Sequence, residues 1–149
     1  MQLITPAFQN NQNIPVKYTC AGENINPALI FSEVPKNTQS LVLICHDPDA
    51  LGDGGWTHWV VINMTPSTPG TAENAKSDSG LELTTNFGTT DYGGPCPPSG
   101  THRYIFYFYA LDATLGLDAS AKKEEMEAAM EGHLIEKVGW MGVYERASA

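Results

Sequence analysis

Basic residues are scarce in this sequence. Lysine and arginine together number 8 against 17 aspartates and glutamates, so the formal net charge is −9 at pH 7. Proteins that bind nucleic acids or anionic membrane surfaces use clusters of basic side chains, so the composition argues against both classes. An anionic ligand would have to be held by a local pocket that works against the field of the whole chain.

Long apolar runs and a signal-peptide pattern are also missing. No stretch of about 18 apolar residues could span a membrane. The opening segment MQLITPAFQN lacks the basic and apolar regions of a signal peptide. We therefore expect no membrane span and a cytoplasmic location.

Cysteine is sparse, with only Cys20, Cys45 and Cys96 in the chain. Their odd number and wide spacing make a disulfide framework and a zinc knuckle poor fits, and a reducing cytosol fits best. We expect no metal site and no cofactor.

The length of 149 residues predicts a single domain over residues 1–149. Glycine and proline turn signals are frequent in the first two thirds, and three apolar runs between them, at 40–47, 57–64 and 102–111, predict strands. Because these runs are apolar on both faces, each strand should be covered on both sides. Shorter strands are predicted near 2–4, 16–19, 29–31 and 81–86.

The tail over 120–146 has a different pattern. Apolar residues recur every four positions at Met126, Met130, Leu134 and Val138, which predicts an amphipathic helix. Ser120 is the expected N-cap, and Gly132 is expected to divide the helix into two pieces. The fold class that follows is a mostly antiparallel β domain closed by a C-terminal α-helix.

Polar residues lie at the ends of the three long strands. The first strand ends at Asp47, the second begins near His58, and the third begins at His102. If the strands pair as antiparallel neighbours, these side chains and Tyr104 meet at one rim of one sheet. Sites are frequent where loops meet such a rigid rim.

Three segments are similar to the signature motifs of the phosphatidylethanolamine-binding protein family, which includes Raf kinase inhibitor protein. They are DPDA at 47–50, GGWTHWVVINM at 54–64 and GGPCPPSGTHRYIFYFYALD at 93–112. The segments at 14–29 and 129–146 fit the same pattern, so the resemblance covers nearly the whole chain and is closest to short bacterial and archaeal members. It implies a large antiparallel sheet packed on a smaller one, a β-sandwich with a C-terminal helix on its flank.

The resemblance also implies a pocket for small anions, phosphate or phosphorylated head groups. In that pocket His58 and His102 would supply hydrogen bonds, Asp47 would orient them, and Trp56, Tyr104 and Pro97 would form apolar walls. Cys96 is interpreted as part of the wall, and the backbone N–H groups of the Gly/Pro loop would face the anion. The full predicted set of ligand-binding residues is Asp47, Asp49, Ala50, Trp56, His58, Gly94, Pro95, Pro97, His102 and Tyr104.

Two positions depart from the family pattern. Leu51 stands where the family usually has proline, and Ala21 stands where many relatives carry Asp. The chain is also too short for the extra C-terminal helix that covers the pocket of longer members. The resemblance therefore implies a more open pocket, and the lipid and kinase roles of longer relatives transfer poorly.

Three classes of function stay open. The first is a non-catalytic protein that binds an anionic ligand and regulates a partner protein. Such a protein would have no catalytic residues. The second is a protease or kinase inhibitor that acts through the loops 48–57 and 87–100. The third is a hydrolase that uses the Asp/His cluster, although no GxSxG, HExxH or P-loop motif is present. The resemblance is also compatible with a homodimer.

Overall fold

The computed structural model describes residues 1–146, which form two β-sheets and one α-helix. The helix α1 spans Lys123–Met130, and a single 3₁₀ turn spans Val16–Tyr18. The strands are β1 (Gln2–Ile4), β2 (Gln12–Asn13), β3 (Leu29–Ser32), β4 (Ser40–Asp47), β5 (Trp56–Met64), β6 (Gly70–Thr71), β7 (Leu81–Glu82), β8 (Thr101–Leu111) and β9 (Leu134–Glu145).

The larger sheet has the strand order β2-β9-β8-β4-β5-β7. Its four long strands pair antiparallel, whereas the short β2 pairs parallel with β9. The predicted strands over 40–47, 57–64 and 102–111 are confirmed as β4, β5 and β8. Every residue of β4 is buried, as its apolar side chains on both faces require.

The two faces of the larger sheet are covered by different elements. The smaller sheet, of order β1-β3-β6, packs on one face, where Phe31 of β3 stacks on Phe108 of β8 with 4.1 Å between ring centroids. The helix α1 covers the opposite face, where Met126 and Met130 join Val42 in the second core. The expected fold class, two packed sheets with a helix on the flank, is thus confirmed.

The prediction for the tail is wrong after Met130. The helix follows Lys122 rather than Ser120, and Leu134–Glu145 forms β9 along β8 instead of a second helix. Gly132 ends the helical part with a φ of 82°, a left-handed conformation that suits glycine. A four-residue spacing cannot distinguish helix from strand, because positions four residues apart also share one face of a regular strand.

Two smaller expectations change as well. The strand predicted near 16–19 is a 3₁₀ turn that follows Pro15, and the strand predicted over 81–86 is reduced to β7. Within residues 1–146, no helix combines the length and apolar character needed to cross a membrane.

The interpretation of the cysteines also needs correction. Cys20 and Cys96 form a disulfide although 76 residues separate them, and Cys45 is free and buried. Tertiary structure brings the pair together, since the backbone N–H of Cys20 donates to the carbonyl of Pro95 over 3.1 Å. Disulfides persist in oxidising compartments, so the cysteine spacing no longer supports a reducing one.

Replacing Cys20, Cys96 or both with Ser should lower the free energy of unfolding by about 2–4 kcal/mol, because the cross-link closes a long loop in the unfolded chain. The three variants should be equally destabilised, since each breaks the same bond. Urea unfolding without reductant measures the effect. Detection of three reactive thiols in the unreduced, denatured wild-type protein would contradict this pairing.

Candidate functional site

The polar residues that were expected to converge do so at one end of the larger sheet. Asp47, at the end of β4, pairs in register with Trp56 at the start of β5. His58 lies two residues further along β5, and His102 follows the first residue of β8. Strand alternation points these side chains, together with Tyr104, towards one region.

A cavity of about 390 Å³ lies at this end of the sheet. Most of the residues predicted for ligand binding line it: Asp47, Ala50, Trp56, His58, Pro97, His102 and Tyr104. Asp49, Gly94 and Pro95 do not line it. The sequence-based prediction did not include four further lining residues among its ligand-binding residues, namely Leu51, Phe87, Cys96 and Pro98.

Asp47 and His102 form a buried ion-pair geometry beside the cavity. Oδ2 of Asp47 lies 2.7 Å from Nδ1 of His102, and Asp47 is only 2% exposed. Oδ1 of the same carboxylate accepts a 2.7 Å hydrogen bond from the backbone N–H of Asp49. Both oxygens are thus engaged, and Nδ1 of His102 carries the hydrogen that faces the carboxylate.

His58 is held differently. Its Nδ1 lies 2.7 Å from the carbonyl oxygen of Gly93, which can only accept, so Nδ1 carries the hydrogen. Burial lowers the pKa of His58 to about 4, so its imidazole is neutral near pH 7. The ring packs edge-on against Phe87 and Tyr104 with centroids 5.2 Å apart in each pair. Its Nε2 is therefore an acceptor.

Two cavity residues carry polar atoms that the described part of the chain leaves without a hydrogen-bond partner. These atoms are the indole Nε1 of Trp56 and the hydroxyl of Tyr104, and both are buried. Burial also raises the pKa of Tyr104 well above its usual value, so the hydroxyl keeps its proton. Unpaired buried donors are rare in folded proteins, so these two are candidates for a hydrogen bond to a ligand or water.

The Gly/Pro loop forms one wall, but two of its N–H groups are already used within the protein. The N–H of Gly93 donates to the carbonyl of His58 over 3.0 Å, and that of Gly94 donates to Oδ1 of Asn24 over 2.8 Å. A Cβ at Gly94 would overlap the carbonyl oxygen of Tyr18, so only glycine fits at this position. The expectation that this loop offers its N–H groups to an anion is wrong for these two glycines. Gly94 and Pro95 instead fix the loop to its neighbours.

Comparison with known proteins gives a consistent assignment. A sequence profile described as phosphatidylethanolamine-binding protein matches residues 4–145. The chain belongs to the phosphatidylethanolamine-binding protein family. A UPF0098 protein of Methanothermobacter thermautotrophicus is 46% identical over 98% of this chain and 99% of its own length, and one of Chlamydia trachomatis is 44% identical over 98% and 99%.

Solved structures of family members have the same fold. A phosphatidylethanolamine-binding protein homologue from Chlamydia trachomatis superposes with a TM-score of 0.93 at 42% identity, covering 98% of this chain and 97% of the other. YbcL of E. coli, described as a new member of the mammalian family, gives 0.91 at 25% identity and covers 98% of both chains. The resemblance inferred from the sequence motifs is thus confirmed.

In this family member, Asp49 braces the loop that follows β4 instead of lining the cavity. Both its oxygens contact the Arg103 guanidinium, Oδ2 at 3.0 Å from Nε and Oδ1 at 2.8 Å from an Nη. The Arg103 hydrogen bonds lower the pKa of Asp49 to about 2. Arg103 thus forms a salt bridge with a residue that was expected to contact ligand.

The rim of the cavity is apolar and partly exposed. Leu51, at the position where the family usually has proline, is 88% exposed, and Phe87 is 43% exposed. Phe87 contacts both Trp56 and His58. No motif marked Phe87, because a loop far along the chain brings it there and only the tertiary structure reveals the contact. Across residues 1–146, no group of three or more His, Cys, Asp and Glu side chains is arranged to hold a metal ion.

The free energy of unfolding should fall as the pH drops from 6.5 towards 4, because the unfolded chain protonates His58 and the folded chain resists it. The difference between a pKa of 6.5 and about 4 corresponds to roughly 3 kcal/mol when complete. His58→Gln should remove this part of the pH dependence. Urea unfolding of both proteins at about pH 7 and about pH 4 measures it, and equal slopes would contradict the assignment.

Proposed function

We propose that this protein is a non-catalytic binding protein whose cavity takes a small anion, namely phosphate or a phosphorylated head group. The observation that carries the proposal is the buried Asp47–His102 pair, which presents an imidazole to an otherwise largely apolar cavity. The Asp47 carboxylate orients the ring of His102 through Nδ1, and the other ring nitrogen can donate a hydrogen bond to an anion when it carries a hydrogen. Membership of a family named for phosphatidylethanolamine binding supports the same ligand class.

Local groups have to overcome an unfavourable global charge. The chain carries a net charge of −9, so its long-range field repels anions. Inside the cavity, however, the charge of Asp47 is balanced when His102 is protonated, and Trp56 and Tyr104 hold unpaired donors nearby. Hydrogen bonds in such a partly buried site are stronger than in water. The apolar walls suit the carbon-bearing part of a head group.

The same residues support binding better than hydrolysis. A covalent mechanism needs an activated nucleophile, but the sulfur of Cys96 is bonded to Cys20. Cys45 is buried, and burial raises the pKa of its thiol well above the usual value. A single Asp–His pair can orient an anionic ligand, whereas hydrolysis also requires an activated nucleophile or a water positioned for attack.

A second candidate function is favoured by the exposed rim. Leu51 extends into solvent at 88% exposure beside the half-exposed Phe87. Exposed apolar side chains at the rim of a cavity suit contact with a protein, as a kinase or protease inhibitor would make. We rank this role below anion binding, because two apolar side chains specify no partner.

His102→Ala should weaken the binding of phosphate and of phosphoethanolamine roughly tenfold or more, because it removes a charge-assisted donor and leaves Asp47 unpaired. The measurement is an amide NMR titration at low ionic strength, with saturable shifts expected in residues 47–58 and 93–104.

His133→Ala is the matched control. His133 also pairs with an aspartate, its Nδ1 lying 2.8 Å from Oδ1 of Asp112, but the pair is exposed and does not line the cavity. This variant should bind phosphate like the wild type. Equal affinity of the His102→Ala variant and the wild type would overturn the role of His102, and absence of shifts at millimolar ligand would overturn the proposed function.

A further inference from the structure

A second cavity lies at the edge of the larger sheet, where β5 pairs with the short β7. Its volume is about 200 Å³, and it shares no lining residue with the cavity at the ends of β4, β5 and β8. The rings of Trp59 and Tyr92 form part of its wall and pack edge to face with centroids 5.7 Å apart. Polar side chains supply most of the remaining wall: Asn24, Asn26, Asn74, Lys76, Glu82 and Asp91.

Glu82 brings to this second cavity a carboxylate of which only one oxygen is hydrogen-bonded. Its Oε2 accepts a 2.7 Å hydrogen bond from the indole Nε1 of Trp59, a residue that is 1% exposed. Its Oε1 is buried and has no hydrogen-bond partner in the part of the chain that the structure describes. The Glu82 side chain is only 10% exposed, and a buried carboxylate oxygen without a hydrogen bond is costly. A ligand that donates a hydrogen bond to Oε1 would remove this cost.

Lys76 compensates the carboxylate only in part. Its Nζ lies 3.8 Å from Oε1 of Glu82, which is close enough for charge attraction but too far for a hydrogen bond. The Lys76 side chain is 79% exposed, and ion pairs of exposed groups contribute little to stability. Lys76 can therefore move into solvent at small cost and leave Oε1 to another donor.

The charges around the second cavity favour a cation over an anion. Glu82 and Asp91 contribute two carboxylates against the single ammonium of Lys76, and the whole chain carries a net charge of −9. Local and long-range fields therefore attract the same sign of ligand. Within residues 1–146, no three His, Cys, Asp or Glu side chains are grouped to hold a metal ion. An organic cation fits this set of residues better than a metal does.

The hydrogen bonds already made by Glu82 favour an ammonium over a guanidinium. A guanidinium binds a carboxylate best by donating to both oxygens at once, but Trp59 already occupies Oε2. An ammonium is a compact charge whose N–H groups donate separately, so it can use Oε1 alone. The aromatic side chains of Trp59 and Tyr92 suit a cation with an attached alkyl chain.

Asn26 holds the wall of the second cavity in place. Its side chain is buried, and its Nδ2 donates to the carbonyl of Ala72 over 2.9 Å. Its Oδ1 accepts from the backbone N–H of Ala75 over 3.0 Å. These bonds fix the segment that carries Asn74 and Lys76, so the protein's own hydrogen bonds maintain the wall. Binding to a wall that is already ordered loses less entropy than ordering a mobile loop.

We propose that the second cavity is a binding site for primary alkylammonium ions, in which Oε1 of Glu82 accepts a hydrogen bond from the ligand and Lys76 is displaced. The proposal is independent of the anion binding proposed above, because the two cavities share no lining residue.

The experiment titrates ¹⁵N-labelled protein with n-butylammonium chloride near neutral pH, with sodium chloride exchanged to keep the ionic strength constant. The indole N–H of Trp59 is the reporter, because it donates to the same carboxylate. We expect its signal to shift saturably, while the indole signal of Trp56, in the other cavity, stays unchanged. The n-butylguanidinium ion should bind several-fold more weakly. The n-butyltrimethylammonium ion, which has no N–H group, should bind about tenfold more weakly or worse.

Two isosteric variants separate the site from a general effect of charge. Glu82→Gln keeps an acceptor for Trp59 but removes the negative charge, and it should weaken n-butylammonium binding about tenfold or more. Glu73→Gln is the matched control. Glu73 also pairs with a lysine, Lys17, and accepts from the aromatic side chain of Tyr18, but both of its oxygens are used and it does not line the second cavity. This variant should bind n-butylammonium like the wild type.

Lys76→Ala should bind n-butylammonium several-fold more tightly than the wild type, because it removes the cation that the ligand displaces. It changes an exposed residue, so this prediction can be tested even if Glu82→Gln does not fold. Weaker binding by Lys76→Ala would overturn the displacement of Lys76. Absence of a saturable Trp59 shift at millimolar n-butylammonium, or equal affinity of Glu82→Gln and the wild type, would overturn the site and leave the proposed anion binding intact.

Discussion

The burial of one carboxylate constrains the whole of this end of the sheet. Asp47 is 2% exposed, and an ionised carboxylate removed from water is costly unless it is paired and hydrogen-bonded. One of its oxygens meets His102, and the other meets the backbone N–H of Asp49. A single side chain, that of Asp47, therefore connects three parts of the chain: the end of β4, the start of β8 and the loop that follows Asp47. The cavity forms around that junction.

Strand alternation then gives neighbouring residues different tasks. His102 points inward to Asp47, and the next residue, Arg103, points outward to Asp49. The inner pair lies in a largely apolar cavity, where its charge and hydrogens can act on a ligand. The outer pair is exposed, and such pairs contribute little to stability. It braces the loop that follows β4. We propose that this division of roles underlies anion binding at the inner pair.

Features determined by local patterns could be predicted from the sequence, and features determined by tertiary contact could not. The runs that are apolar on both faces predicted the strands of the larger sheet. The polar residues at the ends of those strands predicted that Asp47 and His102 lie together. The secondary structure of the tail after Gly132 could not be predicted, because apolar residues spaced four apart fit one face of a helix and one face of a regular strand equally well. The Cys20–Cys96 bond and the place of Phe87 depend on segments far apart in the chain. The hydrogen bond from His58 to the carbonyl of Gly93 likewise could not be predicted from the sequence, because the two residues meet only in the folded chain.

Anion binding in the cavity, as we propose it, depends on a hydrogen bond donated by His102. Long-range ¹⁵N–¹H NMR of the imidazoles, recorded with and without phosphate near neutral pH, tests it most directly. We expect that Nδ1 of His58 is protonated and Nε2 is not, in both states. We also expect the ring nitrogen signals of His102 to shift when phosphate is bound, because its Nε2 donates to the anion. A His58 ring protonated at Nε2, or a His102 spectrum that phosphate leaves unchanged in a neutral form, would contradict it.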